Sequence, residues 1–123
     1  SNATATMETT AAQINHTMRE IFHDHQLVWG VTDRDTNAFV GQVGFAPIDT
    51  AKHEATLSVD LTATYQQVTT LREILERLVA FGTVELKLNR LTLILPKHDD
   101  LMAQILAGLN FSTTDHLTFN YHQ

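Results

Sequence analysis

Seven histidines occur in 123 residues, and two of them begin the runs His23-Asp24-His25 and His98-Asp99-Asp100. Imidazole and carboxylate together form the donor set of a divalent-metal site, but side chains two apart on a helix diverge by about 200°. His23 and His25 can share an ion only where a helix has already ended, so solvated histidines at helix ends account for both runs and no metal site is expected. The chain has no Gly-x-Ser-x-Gly elbow, Ser/His/Asp order or Walker lysine loop, and no cysteine, which leaves hydrolysis and thiolate chemistry without a motif. Two features remain. Glu54 and Asp60 share one side of an alternating run, where a carboxylate bordering a pocket can act as a general base through water; the plainer reading is the wet side of a strand. Tyr65-Gln66-Gln67-Val68-Thr69-Thr70 joins that run to a helix, and such a junction offers free backbone N–H groups and the positive end of a helix dipole to an anion. It contains none of the glycines that usually let a backbone close on phosphate.

The elements that must position these residues follow from periodicity. Ile14, Met18, Ile21 and Phe22 fall on one helical stripe between Glu8 and about Gln26. Leu27–Thr32 and Ala38–Pro47 read as a hairpin around the polar turn Asp33 to Asn37, and Gly41 and Gly44 suggest a bulge or a close backbone approach. His53–Thr62 alternates as a half-buried strand. Leu71, Ile74, Leu75, Leu78 and Val79 mark a helix running to about Leu86, with Thr70-x-x-Glu73 spaced as a capping box at its start. The apolar run Leu91–Leu95, stopped by Pro96, reads as a strand buried on both faces. A helix carrying Leu101, Ile105 and Leu109 should follow and end at a left-handed Asn110, before a last strand over Asp115–Tyr121. The expected order is helix, three strands, helix, strand, helix, strand.

Composition bounds the rest. A chain of 13.8 kDa with 43% hydrophobic and 18% charged residues forms one domain able to bury roughly two-thirds of its unfolded surface. Ser1-Asn2-Ala3 reads as an expression-tag scar, leaving 4–123 as the domain, and Thr4 where an initiator Met is normal marks a possible fragment of a longer chain. The net charge of −6 argues against nucleic acid and anionic membrane as partners, and no apolar run approaches the length of a membrane span. Absence of cysteine suits a cytoplasmic protein.

From Ala55 to Phe111 the chain resembles the acetyl-CoA-dependent N-acetyltransferases of the GNAT family, particularly the branch that includes the ribosomal-protein N-acetyltransferases. The resemblance rests on the alternating strand, Glu73 at a helix-start acid, Glu85-Leu86-Lys87-Leu88-Asn89-Arg90 at a helix end, the Leu91–Leu95 strand and the closing Leu109-Asn110-Phe111. Gly41-Gln42-Val43-Gly44-Phe45 is similar to a further family strand. The cofactor motif is degenerate: Gln67 and Thr69 stand at its two glycines, Asp99 at an Asn and Leu106 at a thiolate-protonating Tyr, while the fourth-strand acid aligns with Thr56 and leaves Glu54 as the catalytic candidate.

The resemblance implies an α/β fold with a mixed, mostly antiparallel sheet flanked by helices, shortened at its N-terminus by a strand and a helix. It implies acetyl-CoA as cosubstrate, held by a β-bulge near Val59 and Leu61, by N–H groups of Gln67, Val68, Thr69, Thr70 and Leu71, by Arg72 on phosphate and by Asp99 nearby. The acceptor would be an amine on a small molecule or peptide, and a homodimer is a possible assembly. The alternative is a non-catalytic binding or regulatory domain that kept the fold and lost the cofactor.

Overall fold

A computed structural model describes residues 25–123 in full and the backbone of strands 4–8, 14–19 and 21–23. The chain turns around Asp33. Its carboxylate accepts from the backbone N–H of Asp35 at 2.8 Å and of Thr36 at 3.3 Å, and Asn37 takes φ +63°. This polar turn closes the expected hairpin of β4 (Gln26–Asp33) and β5 (Phe39–Asp49). β6 (Glu54–Leu61) pairs antiparallel with β5, close to the strand read from alternation.

The helix expected over Glu8 to Gln26 is not formed. β2 (Ile14–Arg19) and β3 (Ile21–His23) lie there as strands, with β1 (Thr4–Glu8) paired to β2, and residues 9–13, 20 and 24 are outside the described residues. Ile14 pairs with Asp33, and Ile21 to His23 pair with Val28 to Gln26, so both strands cover the edge of β4. An open edge of backbone donors and acceptors is a strong template for β-branched and aromatic residues, and pairing on it overrides a stripe of helical spacing.

Beyond β6, α1 (Val68–Ala80) continues through a widened turn, Phe81–Glu85, so the helical run ends where expected. Its start differs from the capping box read in the sequence. Gln67 is the N-cap, its side chain making no capping bond but donating to the Thr64 carbonyl at 3.2 Å, and Thr70 is the third helical residue, buried at 5% exposure. The apolar stripe pulls Thr70 inward, where it cannot cap. β7 (Arg90–Ile94) then runs parallel to β6, and α2 (Asp100–Gly108) ends at Asn110 with φ +71°, the left-handed stop anticipated. A hairpin of β8 (Phe111–Thr113) and β9 (Thr118–Tyr121) completes the sheet, and β8 was hidden in the sequence by its three-residue length.

Among the described residues the strand order is β1-β2-β4-β5-β6-β7-β9-β8, with β3 also on β4, and only β6 with β7 is parallel. The sheet is therefore mixed and mostly antiparallel, as expected. Leu71, Ile74, Leu75 and Leu78 of α1 and Met102, Ile105 and Leu106 of α2 share one core with Trp29, Phe45, Leu57 and Leu91. Full burial of each such aliphatic side chain stabilises the fold by roughly 1.5–3 kcal/mol. β7 is not buried on both faces: Leu91 and Leu93 are inward, whereas Ile94 is 59% exposed on the side away from that core. No helix of the described residues is long and apolar enough to cross a membrane.

Candidate active site

The register of β6 with β7 runs only from Glu54 with Arg90 to Thr56 with Thr92, although β6 continues to Leu61 and β7 to Ile94. Past Thr56 the two strands part. β7 follows β9 instead, and the N–H of Leu95 donates to the Leu117 carbonyl at 2.8 Å. On its other side β6 stays in unbroken register with β5 from Leu57 with Phe45 to Leu61 with Gly41.

That register decides which backbone groups face the gap. The N–H of Thr62 donates to the Val40 carbonyl at 2.9 Å, and bonded pairs alternate along an antiparallel ladder. Asp60 and Ser58 therefore spend their backbone groups on β5, while Leu57, Val59 and Leu61 turn theirs toward the splay. The Leu61 carbonyl accepts from Gln66 Nε2 at 2.8 Å, which leaves the Val59 N–H and carbonyl and the Leu61 N–H to meet a ligand. The β-bulge expected near Val59 and Leu61 is not there; the register shift of β5 on β6 falls between Phe45 and Ile48. Departure of β7, rather than a bulge, frees these groups.

Between the parted strands lies a cleft of about 380 Å³. Val59, Asp60, Leu61, Gln66 and Leu71 form one wall, and the β7–α2 junction with Pro96, Lys97 and Asp99 forms the other, completed by Leu101 and Met102. Because β6 and β7 are parallel, their strand-to-helix junctions emerge at the same edge, the usual ligand position in open α/β sheets. The first intrahelical bond of α1 runs from the Leu71 N–H to the Gln67 carbonyl at 2.8 Å, so the N–H groups of Val68, Thr69 and Thr70 precede the ladder, at the positive end of the helix dipole. Asp99 is the N-cap of α2 and accepts from the Met102 N–H at 3.1 Å.

Of the residues singled out from sequence, the structure brings Val59, Leu61, Leu71 and Asp99 into the lining, and places Gln67, Val68, Thr69 and Thr70 at the adjoining helix start. Arg72 stands outside the lining, exposed and one turn into α1. Glu54 sits at the opposite end of β6, about 17 Å along the strand from Val59 and also outside the lining. Leu106 is fully buried in the core. Sequence reading missed Lys97. Its signal is positional: it follows the Pro96 that stops the β7 run and so occupies the second of two junctions on neighbouring parallel strands.

A hydrogen bond fastens the loop that leads into α1. The Tyr65 hydroxyl donates to Asp33 Oδ2 at 2.5 Å, joining the turn after β6 to the end of β4. This bond, followed by the N–H donors of Asp35 and Thr36, holds the Asp33 carboxyl below its usual value, and the same bond pushes the Tyr65 hydroxyl up. A depressed acid contributes stability above its unfolded value of 3.8, lost as pH falls through the folded one; a raised phenol contributes below 10.0, lost as pH rises through the folded one. Tyr65→Phe is thus expected to lower the melting temperature near neutral pH and to match the parent chain well below pH 3.8 and well above pH 10.0. Thermal denaturation across pH checks this, and a difference that stays constant to both extremes would contradict it.

A parallel pair splayed within a mostly antiparallel sheet, with two helix starts at the mouth of the gap, defines a mixed α/β domain with a cleft at the splay. Residues 1–112 match the model of the acetyltransferase (GNAT) domain, and the chain belongs to that family. Its fold is also that of the dodecameric spermidine N-acetyltransferase from Vibrio cholerae in an intermediate state, with TM-score 0.67 and 13% identity over 79% of this chain and 63% of that one. A candidate ribosomal-protein-serine acetyltransferase from Vibrio cholerae gives TM-score 0.62 at 22% identity, over 80% of this chain and 65% of that one. The chain thus spans less than two-thirds of either neighbour. No curated protein sequence matches it.

Proposed function

We propose that the domain transfers an acetyl group from acetyl-CoA to an amine carried by a small molecule or a peptide. The observation that carries this reading is the splay: it bares alternate backbone groups of β6 directly beside the ligand-ready start of α1. The residues fit the cofactor. Val59 and Leu61 offer amide-pairing groups to an extended, amide-bearing arm, the Val68, Thr69 and Thr70 N–H groups suit a pyrophosphate, and Lys97 adds a cation to the lining. When bound, acetyl-CoA supplies an acetyl thioester, which an amine converts to an amide with release of the thiol. Asp60, an exposed carboxylate in the lining, draws an ammonium acceptor by charge and takes its proton through water, a role that Glu54 is too distant to fill from its end of β6. Backbone positioning supplies the rest of the catalysis.

One observation favours the second reading, a binding or regulatory domain. Leu106 is buried where the resemblance places a proton-donating Tyr, and among the described residues no side-chain hydroxyl lines the cleft. Calorimetry with acetyl-CoA, run beside a coupled thiol-release assay with a panel of polyamines and lysine peptides, separates the two. Micromolar binding with turnover supports the transferase. Binding without turnover on any acceptor supports the regulatory domain, and no binding at millimolar ligand overturns the cofactor reading.

A further inference from the structure

A second cavity, of about 550 Å³, opens at the other end of the sheet, where β7 begins and β9 ends. It is separate from the cleft: Arg90 and Ile94 bound the same strand, about 13 Å apart. Asn89, Arg90, Ser112, Asn120 and His122 line it beside Tyr121 and Gln123, and among the described residues no Asp or Glu side chain does, in a chain whose net charge is −6. Pairing sets the cluster. Thr92 lies opposite Asn120, and Asn120 opposite Ser112, so β7, β9 and β8 present one polar row, with Arg90 two residues before Thr92 and His122 two after Asn120.

The cluster is rich in donors. The Asn120 Oδ1 accepts from Thr92 Oγ1 at 2.9 Å, so what Asn120 can offer a ligand is its NH2 group. Ser112 Oγ and His122 Nε2 lie 2.6 Å apart. If the serine donates, the imidazole keeps an N–H at Nδ1; if the imidazole donates, the serine keeps its O–H. Either tautomer leaves the pair one donor beyond its shared bond. The backbone N–H of His122 donates to the Asn110 carbonyl at 2.9 Å, which holds the residue beyond the strand end. Arg90 adds a planar, permanently charged fork. Its register partner Glu54, on β6, is outside the lining.

We infer that this pocket binds a phosphate group, free or carried on a small ligand, through Arg90, Asn120 and the Ser112–His122 pair. Neighbouring strands set these donors side by side on one face, spaced to meet several oxygens of one phosphate, with Arg90 supplying a charge-assisted, bidentate contact. The test is a titration of the isotopically labelled chain with inorganic phosphate, followed by nuclear magnetic resonance at matched ionic strength in chloride. Saturable shifts at Ser112, Asn120 and His122 are expected, with affinity lowered about tenfold in Arg90→Gln and less in Ser112→Ala, as loss of a charge-assisted bond against a neutral one requires. Shifts that chloride reproduces, or an unchanged affinity in folded Arg90→Gln, would overturn the site. Acetate binding as tightly as phosphate would overturn the choice of ligand.

Discussion

Gly41→Val is expected to cost about 3 kcal/mol or more of folding stability and to weaken acetyl-CoA binding in whatever fraction still folds. Gly41 stands in β5 at φ +155°, and a Cβ there would lie 2.1 Å from the Asp60 carbonyl oxygen and 2.8 Å from the Leu61 Cα. Both contacts are backbone, so no side-chain rotation relieves them. The chain can escape only by moving β5 away from β6, and Asp60 and Leu61 form part of the cleft wall. Strain placed at Gly41 therefore reaches the proposed ligand groups through one ladder. Gly108→Ala is the matched control, since its Cβ would meet nothing within 4 Å and a helix favours alanine. Urea denaturation of both variants, beside calorimetry with acetyl-CoA, decides the matter. A Gly41→Val protein as stable as Gly108→Ala would refute the close-approach account.

Lys97→Glu is expected to lower acetyl-CoA affinity about tenfold or more at low salt, with the loss shrinking as ionic strength rises. Lys97 is exposed at the rim, where salt and water screen it, so the effect should be smaller than for a buried pair. Reversal also sets three carboxylates, at positions 60, 97 and 99, around a polyanionic cofactor. Arg72→Ala provides the contrast. Arg72 carries the same charge but stands outside the lining, so its loss should cost under threefold by the same long-range, screened attraction. Calorimetry of both variants at two salt concentrations checks the ranking. A larger loss for Arg72→Ala would move the phosphate to the flank of α1.

The site was partly legible because alternation along β6 and the stripe of α1 are local patterns that any single strand or helix must show. Val59, Leu61 and the junction from Gln66 to Leu71 follow from those two patterns together with the family resemblance. Lys97 was not legible, because it joins the site only through the parallel pairing of β6 with β7, and Glu54 was misplaced for the complementary reason. Six residues apart on one strand, Glu54 and Asp60 share a face in the sequence pattern, yet only the Asp60 end borders the splay. The capping box failed similarly: Thr70 has the right spacing, but the core claims its side chain.

The amino-acid order alone determined the hairpin around Asp33, the alternating β6 and the two helices with their stops, since each depends on neighbours within a turn or a strand. Tertiary structure decided the remainder. Residues 14–19 and 21–23 became strands because β4 offered an edge, β7 kept one face open because both helices share a single core, and the cleft exists because β7 leaves β6 after Thr56 to follow β9. Those outcomes depend on backbone hydrogen bonds between separate segments, and no local periodicity records which partner such a bond will take.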